Sequence, residues 1–334
     1  MATICISFFS VLLAIAIGSV NIAPINIVLI IAHNALGFVL PGHITVAEAA
    51  IVWDLRLPRA LLAFCAGATL SVSGAVMQSV LRNPLASSYT LGVSSGASLG
   101  ASLVILVGVS LPFFGMMTLP FLGFTFGLAT IFIVMAIARR LDARMENHTI
   151  ILTGMVFSLF INAITTLMFS LFREGAQRMV FWQMGSFSMR DWGAVRILAP
   201  IALVGVLFIY MYKWELDVMT FGEEQAQTVG VNVRTVKISL LVAAAALTGS
   251  TIAFVGVIGF VDLVSPHVVR KIFGPAHKVV IPMSALVGGA FMVFADIAAR
   301  TLTSPVELPV GAVTAIIGAP FFAYVFFSKR RKVA

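Results

Sequence analysis

An all-helical bundle of about ten membrane spans is the fold this sequence predicts, and three observations predict it. The 334 residues are 60% hydrophobic and only 10% charged, where a soluble globular chain carries roughly a quarter charged residues. Mean hydropathy is +1.08. The charges are confined to short clusters between long apolar runs, and a helix needs roughly 20 apolar residues to cross a bilayer. About ten such runs use up the length, so residues 1–334 are expected to form a single transmembrane domain without a soluble one.

The runs lie near residues 3–31, 56–80, 88–109, 113–138, 148–171, 193–212, 238–259, 260–272, 279–298 and 308–327. The first has no Lys or Arg ahead of it between Met1 and Ser10. It therefore reads as a retained helix and makes a poor signal peptide. The eighth is short, and if it does not cross, everything after it reverses direction. Gly67, Gly74, Gly92, Gly96, Gly100, Gly288 and Gly289 pepper the runs, as expected where helices must approach closely without a hydrophobic driving force. A long polar connection at 213–237 separates halves 1–192 and 193–334, of about five helices each. Transporter halves of this kind often form inverted repeats, although no residue-level repeat is visible.

Basic residues set the expected orientation. With a cytoplasmic N-terminus, the inner segments hold Arg82, Arg139, Arg140, Arg144, Lys213, Arg234, Lys237, Arg270, Lys271, Lys278 and the tail Lys329 to Lys332. The outer segments hold Arg56, Arg59, Arg173, Arg178, Arg190, Arg196 and Arg300. Fourteen against seven accounts for all 21 and places both termini inside. The net charge of +8 is thus distributed over span ends and forms no patch for nucleic acid. Cys5 and Cys65 sit in apolar runs and read as small buried hydrophobes. The five histidines show no ligand spacing, so no metal site is expected.

Four stretches stand out. Leu55-Arg-Leu-Pro-Arg-Ala60 places two arginines at the outer start of a span, either snorkelling to headgroups or offering an exposed basic patch to an acidic partner. Gly74-Ala-Val-Met-Gln-Ser-Val-Leu-Arg-Asn-Pro-Leu-Ala86 runs on to Leu91-Gly-Val-Ser-Ser-Gly-Ala97. There Pro84 is expected to end a helix and leave carbonyls unpaired, giving a broken pore-lining backbone or a simple turn. Thr220-Phe-Gly-Glu-Glu-Gln-Ala-Gln-Thr-Val-Gly-Val-Asn232 reads as a short amphipathic helix with Gly230 as C-cap, or as a solvated loop. Last come Gly256-Val-Ile-Gly-Phe-Val-Asp-Leu-Val-Ser-Pro-His-Val-Val-Arg270, Ala295-Asp-Ile-Ala-Ala-Arg300 and Glu307-Leu-Pro-Val-Gly311. Asp296 and Arg300, four apart, can pair along one helix face.

Taken together and in this order, these stretches resemble the permease family of type II ABC importers, the FecCD or cobalamin-transporter type. The marks are L-R-L-P-R, G-x-x-x-Q-x-x-x-x-N-P-L-A, L-G-V-S-x-G-A, G-E-x-x-A-x-x-x-G, G-F-x-G-L-x-x-P-H-x-x-R, A-D-x-x-A-R and E-L-P-x-G, spread from about Leu55 to Pro320. The resemblance implies a ten-helix subunit of a bacterial or archaeal cytoplasmic membrane. It implies pairing with a second permease copy, as a homodimer or a heterodimer, around a central path. Two cytoplasmic ATPase subunits would dock below and an extracytoplasmic substrate-binding protein above. By the same resemblance, Arg56, Arg59 and Arg300 would meet acids of the binding protein, and Asn83 and Leu85 would gate the path. Phe221 to Lys237 would carry the ATPase coupling surface, with Gly222, Glu223, Glu224, Gln225, Ala226 and Gly230 at its centre. Asp262 departs from the family, which usually has Gly there, as does Ser265, where the family has an apolar residue. A carboxylate beside a span is expected either to tune the path or to lie at an aqueous edge.

No G-x-x-x-x-G-K-[ST] loop occurs, so ATP hydrolysis is expected on a separate subunit, with no cofactor or catalytic residue here. The implied cargo is a bulky metal chelate (a ferric siderophore, haem or a corrinoid), with an oxyanion such as molybdate as the alternative. Two other classes compete. An ion-coupled secondary transporter would rest on Asp262 and Asp296, and a membrane receptor or scaffold would transport nothing. The polar stretch at 213–237 discriminates, because a secondary transporter needs no ATPase docking surface.

Overall fold

The computed structural model describes residues 2–18 and 20–330, with side chains over 3–18 and 20–324. The basic tail from Lys329 to Lys332 lies outside the described side chains. Regular structure among the described residues is helical throughout. Six helical stretches are long and apolar enough to cross a membrane: Val46–Val80, Gly115–Leu141, Asn147–Leu171, Trp192–Met211, Val233–Val255 and His277–Thr301. Four shorter apolar helices accompany them, over Thr3–Ala16, Pro24–Leu36, Val93–Ile105 and Val310–Tyr324.

The long elements are α4 (Leu57–Val80), α6 (Thr118–Leu141), α7 (Asn147–Leu171), α9 (Trp192–Met211), α12 (Val233–Val255) and α14 (His277–Thr301). Ahead of α4, the short α3 (Val46–Ala50) and a π turn over Ile51–Arg56 make one continuous helical stretch. It begins about ten residues earlier than the apolar run, because Thr45 and Glu48 form a reciprocal capping box that starts a helix in polar sequence. The expected single run at 3–31 is two helices, α1 (Ala2–Ala16) and α2 (Pro24–Leu36). The break between them is where Arg56 enters: a Cβ on Gly18 would lie 2.4 Å from its guanidinium.

Composition decides which helices are central. α4 is rich in Ala, Gly, Ser and Thr, and its span window is 83% buried; that of α12 is 72% buried. The windows of α7 and α9 are only 33% and 28% buried, and they turn large side chains such as Leu159, Phe160, Leu203 and Val204 outward, as lipid-facing surfaces do. Close approach holds the centre together. A Cβ on Gly67 would stand 2.1 Å from the Gly288 carbonyl oxygen, so α4 and α14 meet backbone to backbone. Hydroxyls join α4 and the loop after it to α12: Thr69 with Thr251 at 2.6 Å, Ser88 with Thr248 at 2.7 Å, and Ser73 to the Ala244 carbonyl at 3.0 Å. Cys65 is partly buried, but Cys5 is exposed on α1, which corrects its reading as a buried hydrophobe.

The short eighth run becomes a non-helical segment and α13 (Val261–Phe273). At its start, the Val255 carbonyl accepts from the Ser186 N–H at 2.8 Å. At its end, Arg270 bonds the last turns of α4. Between Val255 and Arg270 the chain thus leads from Ser186 to the last turns of α4, where Asp262 and Arg270 of α13 both meet Gln78. Gly256 makes the entry, with φ of +79° and a hypothetical Cβ only 2.1 Å from the Trp182 carbonyl oxygen, a place no side chain could occupy.

Candidate functional sites at the two ends of the bundle

One end carries the three arginines singled out in the sequence, and it folds them inward. Arg56 is 6% exposed and donates to the carbonyls of Ile15, Ala16 and Val20. Arg300 donates to the Ala14 carbonyl and stands 3.8 Å from Asp296. These two side chains satisfy the last-turn carbonyls of α1 that have no intrahelical partner, at the negative end of its dipole. Arg59 binds Asp296 through Nε and Nη2 at 2.9–3.1 Å, and Glu307 through Nη1 and Nη2 at 2.8 and 3.0 Å. The exposed basic patch expected at Leu55–Ala60 is thus corrected: its guanidinium groups are spent on α1 carbonyls and on acids of the same chain. The pairing expected between Asp296 and Arg300 is present, but Asp296 gives its shorter contacts to Arg59. Glu307, in the loop after α14, is held below the ordinary carboxylate range by its hydrogen bonds from Arg59.

At the other end, α4 stops before Pro84. The Arg82 N–H bonds the Ser79 carbonyl, the Asn83 N–H bonds the Gln78 carbonyl, and Arg82 has φ of +49°. This is a Schellman-type end. The Schellman bonds pair the Gln78 and Ser79 carbonyls, and the proline lies beyond the helix. Asn83 accepts the Leu85 N–H on Oδ1 at 2.9 Å, and Leu85 is 43% exposed. The loop then leads into α5 (Val93–Ile105), which is only 13 residues long.

Asp262 sits in the first turn of α13 and is 2% exposed, so it lies at no aqueous edge of this chain. Its carbonyl accepts from Gln78 Nε2 at 3.2 Å. Neither carboxylate oxygen meets a donor at hydrogen-bond geometry, and the same holds for the buried Ser265 hydroxyl.

The polar stretch forms α10 (Lys213–Met219) and α11 (Glu223–Thr228). The C-cap expectation holds in detail: Gly230 has φ of +89°, its N–H bonds the Gln227 carbonyl, and the Val231 N–H bonds the Ala226 carbonyl, the paired Schellman bonds. Ala226 is fully buried, while Phe221 is 78% exposed and Glu224 and Gln225 face outward. Lys237, buried in α12, spends all three donors here: on Glu223 at 2.6 Å, Asn147 at 2.9 Å and the Met145 carbonyl at 3.0 Å.

A second polar chain at this end was not read from the sequence. Asp217 of α10 accepts from both the backbone N–H and Nδ1 of His277, at 2.9 and 2.6 Å. His277 Nε2 meets Ser79 Oγ at 2.7 Å. Ser79 Oγ accepts from Arg270 Nη2 at 3.0 Å, and Arg270 also holds Gln78 and the Ala75 carbonyl. These residues lie 60 to 198 positions apart, so no spacing rule joins them. The available signal was Gln78, Ser79 and Arg270 as polar groups within otherwise apolar runs; Asp217 and His277 lie outside the runs and gave none.

A family model described as the FecCD transport family matches residues 6–328. The chain is 40% identical over 322 residues to YvrB of Bacillus subtilis, an ABC transporter permease of uncharacterised role, covering 96% of this chain and 91% of that one. It is 38% identical over 293 residues to BtuC of Halobacterium salinarum, a cobalamin import system permease, covering 87% and 77%. Among solved structures, it aligns with an inward-facing transporter assigned to the metal-chelate ABC type, at a TM-score of 0.85 and 27% identity over 98% of each chain.

Proposed function

The chain belongs to the FecCD transport family, and from that premise we propose that it is the permease subunit of an ABC importer that carries a metal chelate across the cytoplasmic membrane. One observation carries the reading furthest. α11 is held rigidly from behind by Lys237 and the Gly230 cap, yet Glu224 and Gln225 on it, and Phe221 just before it, face away from their own chain. A rigid helical face beside an exposed aromatic is what a docking surface requires, and neither a lipid-facing helix nor a solvated loop needs it. ATP is hydrolysed on the subunits that dock there, so in this reading α10 and α11 face the cytoplasm, and the excess of basic residues supports both chain termini on the same side.

Two copies of the chain enclose the path, and the turn at Asn83 and Leu85 gates it near the twofold axis. Asp262 lies directly behind that turn and supports its position. At the opposite end, a substrate-binding protein docks over the face that Arg59 and Glu307 reach, with buried Arg56 and Arg300 bracing α1 behind it. Its acids compete with Glu307 for Arg59, the arginine that lies between a buried and an exposed partner. The cargo is a ferric siderophore, haem or a corrinoid.

The test uses single cysteines at Glu224 and Gln225 in a background of Cys5→Ser and Cys65→Ser, co-expressed with the cognate ATPase subunit. Crosslinking to that subunit is the expected result. Free reaction of both positions with a water-soluble maleimide in the purified complex would remove the coupling surface.

A further inference from the structure

The chain of bonds from Asp217 to Gln78 joins the coupling segment to the gate turn without a gap. Its directions can be assigned from chemistry alone. A carboxylate only accepts, so His277 Nδ1 carries the proton toward Asp217, and Nε2 is left to accept from the Ser79 hydroxyl. The Ser79 oxygen then accepts from Arg270, whose other amino group donates to Gln78 Oε1. Gln78 finally donates through Nε2 to the Asp262 carbonyl. Every donor in this line meets an acceptor with one tautomer of one histidine.

Four helices are tied by it: α10 through Asp217, α14 through His277, α4 through Ser79 and Gln78, and α13 through Arg270 and Asp262. Its two ends are mechanically distinct. Asp217 sits on α10, which runs through Thr220, Phe221 and Gly222 into α11 by consecutive backbone bonds. Asp217 also takes the first N–H of α14, so a shift of α10 loads that helix at its positive dipole end. At the far end, Gln78 and Ser79 have two roles at once. Their side chains belong to the line, and their carbonyls accept the Asn83 and Arg82 N–H groups that shape the gate turn. A side-chain displacement at Ser79 is therefore a displacement of the helix end from which Asn83 and Leu85 hang.

We propose that Asp217, His277, Ser79 and Arg270 are positioning residues that transmit movement of the coupling segment to the turn at Asn83 and Leu85. This rests on the permease reading above, and it adds the route by which an event on the ATPase subunit reaches the path. Buried polar networks suit the task because they have few alternative arrangements and polarise along their length. Coupling between sites needs a contiguous element that both sites bias.

The reporter is Leu85→Cys in the Cys5→Ser, Cys65→Ser background, in the permease–ATPase complex reconstituted into phospholipid vesicles. Its maleimide labelling rate is compared without nucleotide and after trapping with ATP and vanadate. With the line intact, trapping changes the rate. In Ser79→Ala and in His277→Phe the ATPase subunit still co-purifies, and the nucleotide-dependent change shrinks at least about fivefold, the lower range of ordinary coupling between sites. Ser79→Thr, which keeps the hydroxyl, retains the response. A full nucleotide response in both Ser79→Ala and His277→Phe overturns the proposal. Failure of both to co-purify with the ATPase overturns it too, since the line would then be a folding element and not a transmitter. Absence of any response or crosslink in the unsubstituted line is a separate result, and it sinks the permease reading itself.

Discussion

The two ends of the bundle use charge in opposite ways. At the Arg59 end, acids and guanidinium groups face each other across α4, α14 and the loop after α14, and the arginines are spent on the chain's own carbonyls and carboxylates. At the α11 end, one buried lysine anchors Glu223 from behind, while Glu224 and Gln225 look outward. The first arrangement closes a helix bundle; the second braces a surface. The comparison shows that the partner of a charge at a helix end is decided by what the fold brings within reach.

Breaking the closed end should have the largest effect. Arg59→Ala leaves Asp296, 1% exposed, without its principal partner, and removing one member of a buried pair costs about 3–5 kcal/mol. The expected outcome is a large fall in the thermal unfolding midpoint of the detergent-purified chain, with part of it recovered by Asp296→Asn in the same chain. An unchanged midpoint for Arg59→Ala would show that this end is not held by its ion pairs.

The braced end should respond more mildly and more locally. Lys237→Ala removes three charge-assisted bonds behind α11, each worth about 1.5–3 kcal/mol, and leaves Glu223, 27% exposed, to be solvated by water. Hydrogen exchange should rise over residues 221–231 well before the rest of the chain changes. Uniform exchange across the bundle would mean that Lys237 supports the core and not α11.

The smallest effect is a pH dependence at Glu307. Its carboxyl is held below the ordinary value of 4.5 by Arg59. A depressed folded-state value adds stability above the unfolded value and loses it as pH falls through the folded one. Glu307 is more than a third exposed, so solvent screens the pair and the contribution is slight. The unfolding midpoint of Glu307→Gln should therefore fall less steeply in acid than that of the unsubstituted chain. Parallel curves for the two would place Glu307 outside the ion-pair cluster.

Much of this architecture is legible in the sequence, for physical reasons that can be named residue by residue. Apolar length alone locates α6, α7, α9, α12 and α14, since a bilayer admits only backbone that bonds within itself. The Gly230 cap is local and follows from a glycine placed just past a polar helical stretch. The motif series carries the family. Other features depend on contacts that no local pattern encodes. Arg56 fills the break between α1 and α2 from 40 residues away, a partnership that the local Gly18 and Pro24 signals do not encode. Arg82 takes up a left-handed backbone that glycine would normally supply, so the end of α4 could not be read from residue preference.

Apolar run length thus determines that this chain is a membrane bundle and where its long helices α6, α7, α9, α12 and α14 lie. It does so because hydration of backbone and charge acts on each segment independently of its neighbours. The tertiary structure alone decides that Arg56 and Arg300 cap α1, that Asp262 is enclosed against Gln78 of α4, and that Asp217, His277, Ser79 and Arg270 form one line. Those facts are pairings between side chains on different helices, and a hydrogen bond at 2.6–3.0 Å is set by how the helices pack, whatever the distance between its partners along the chain.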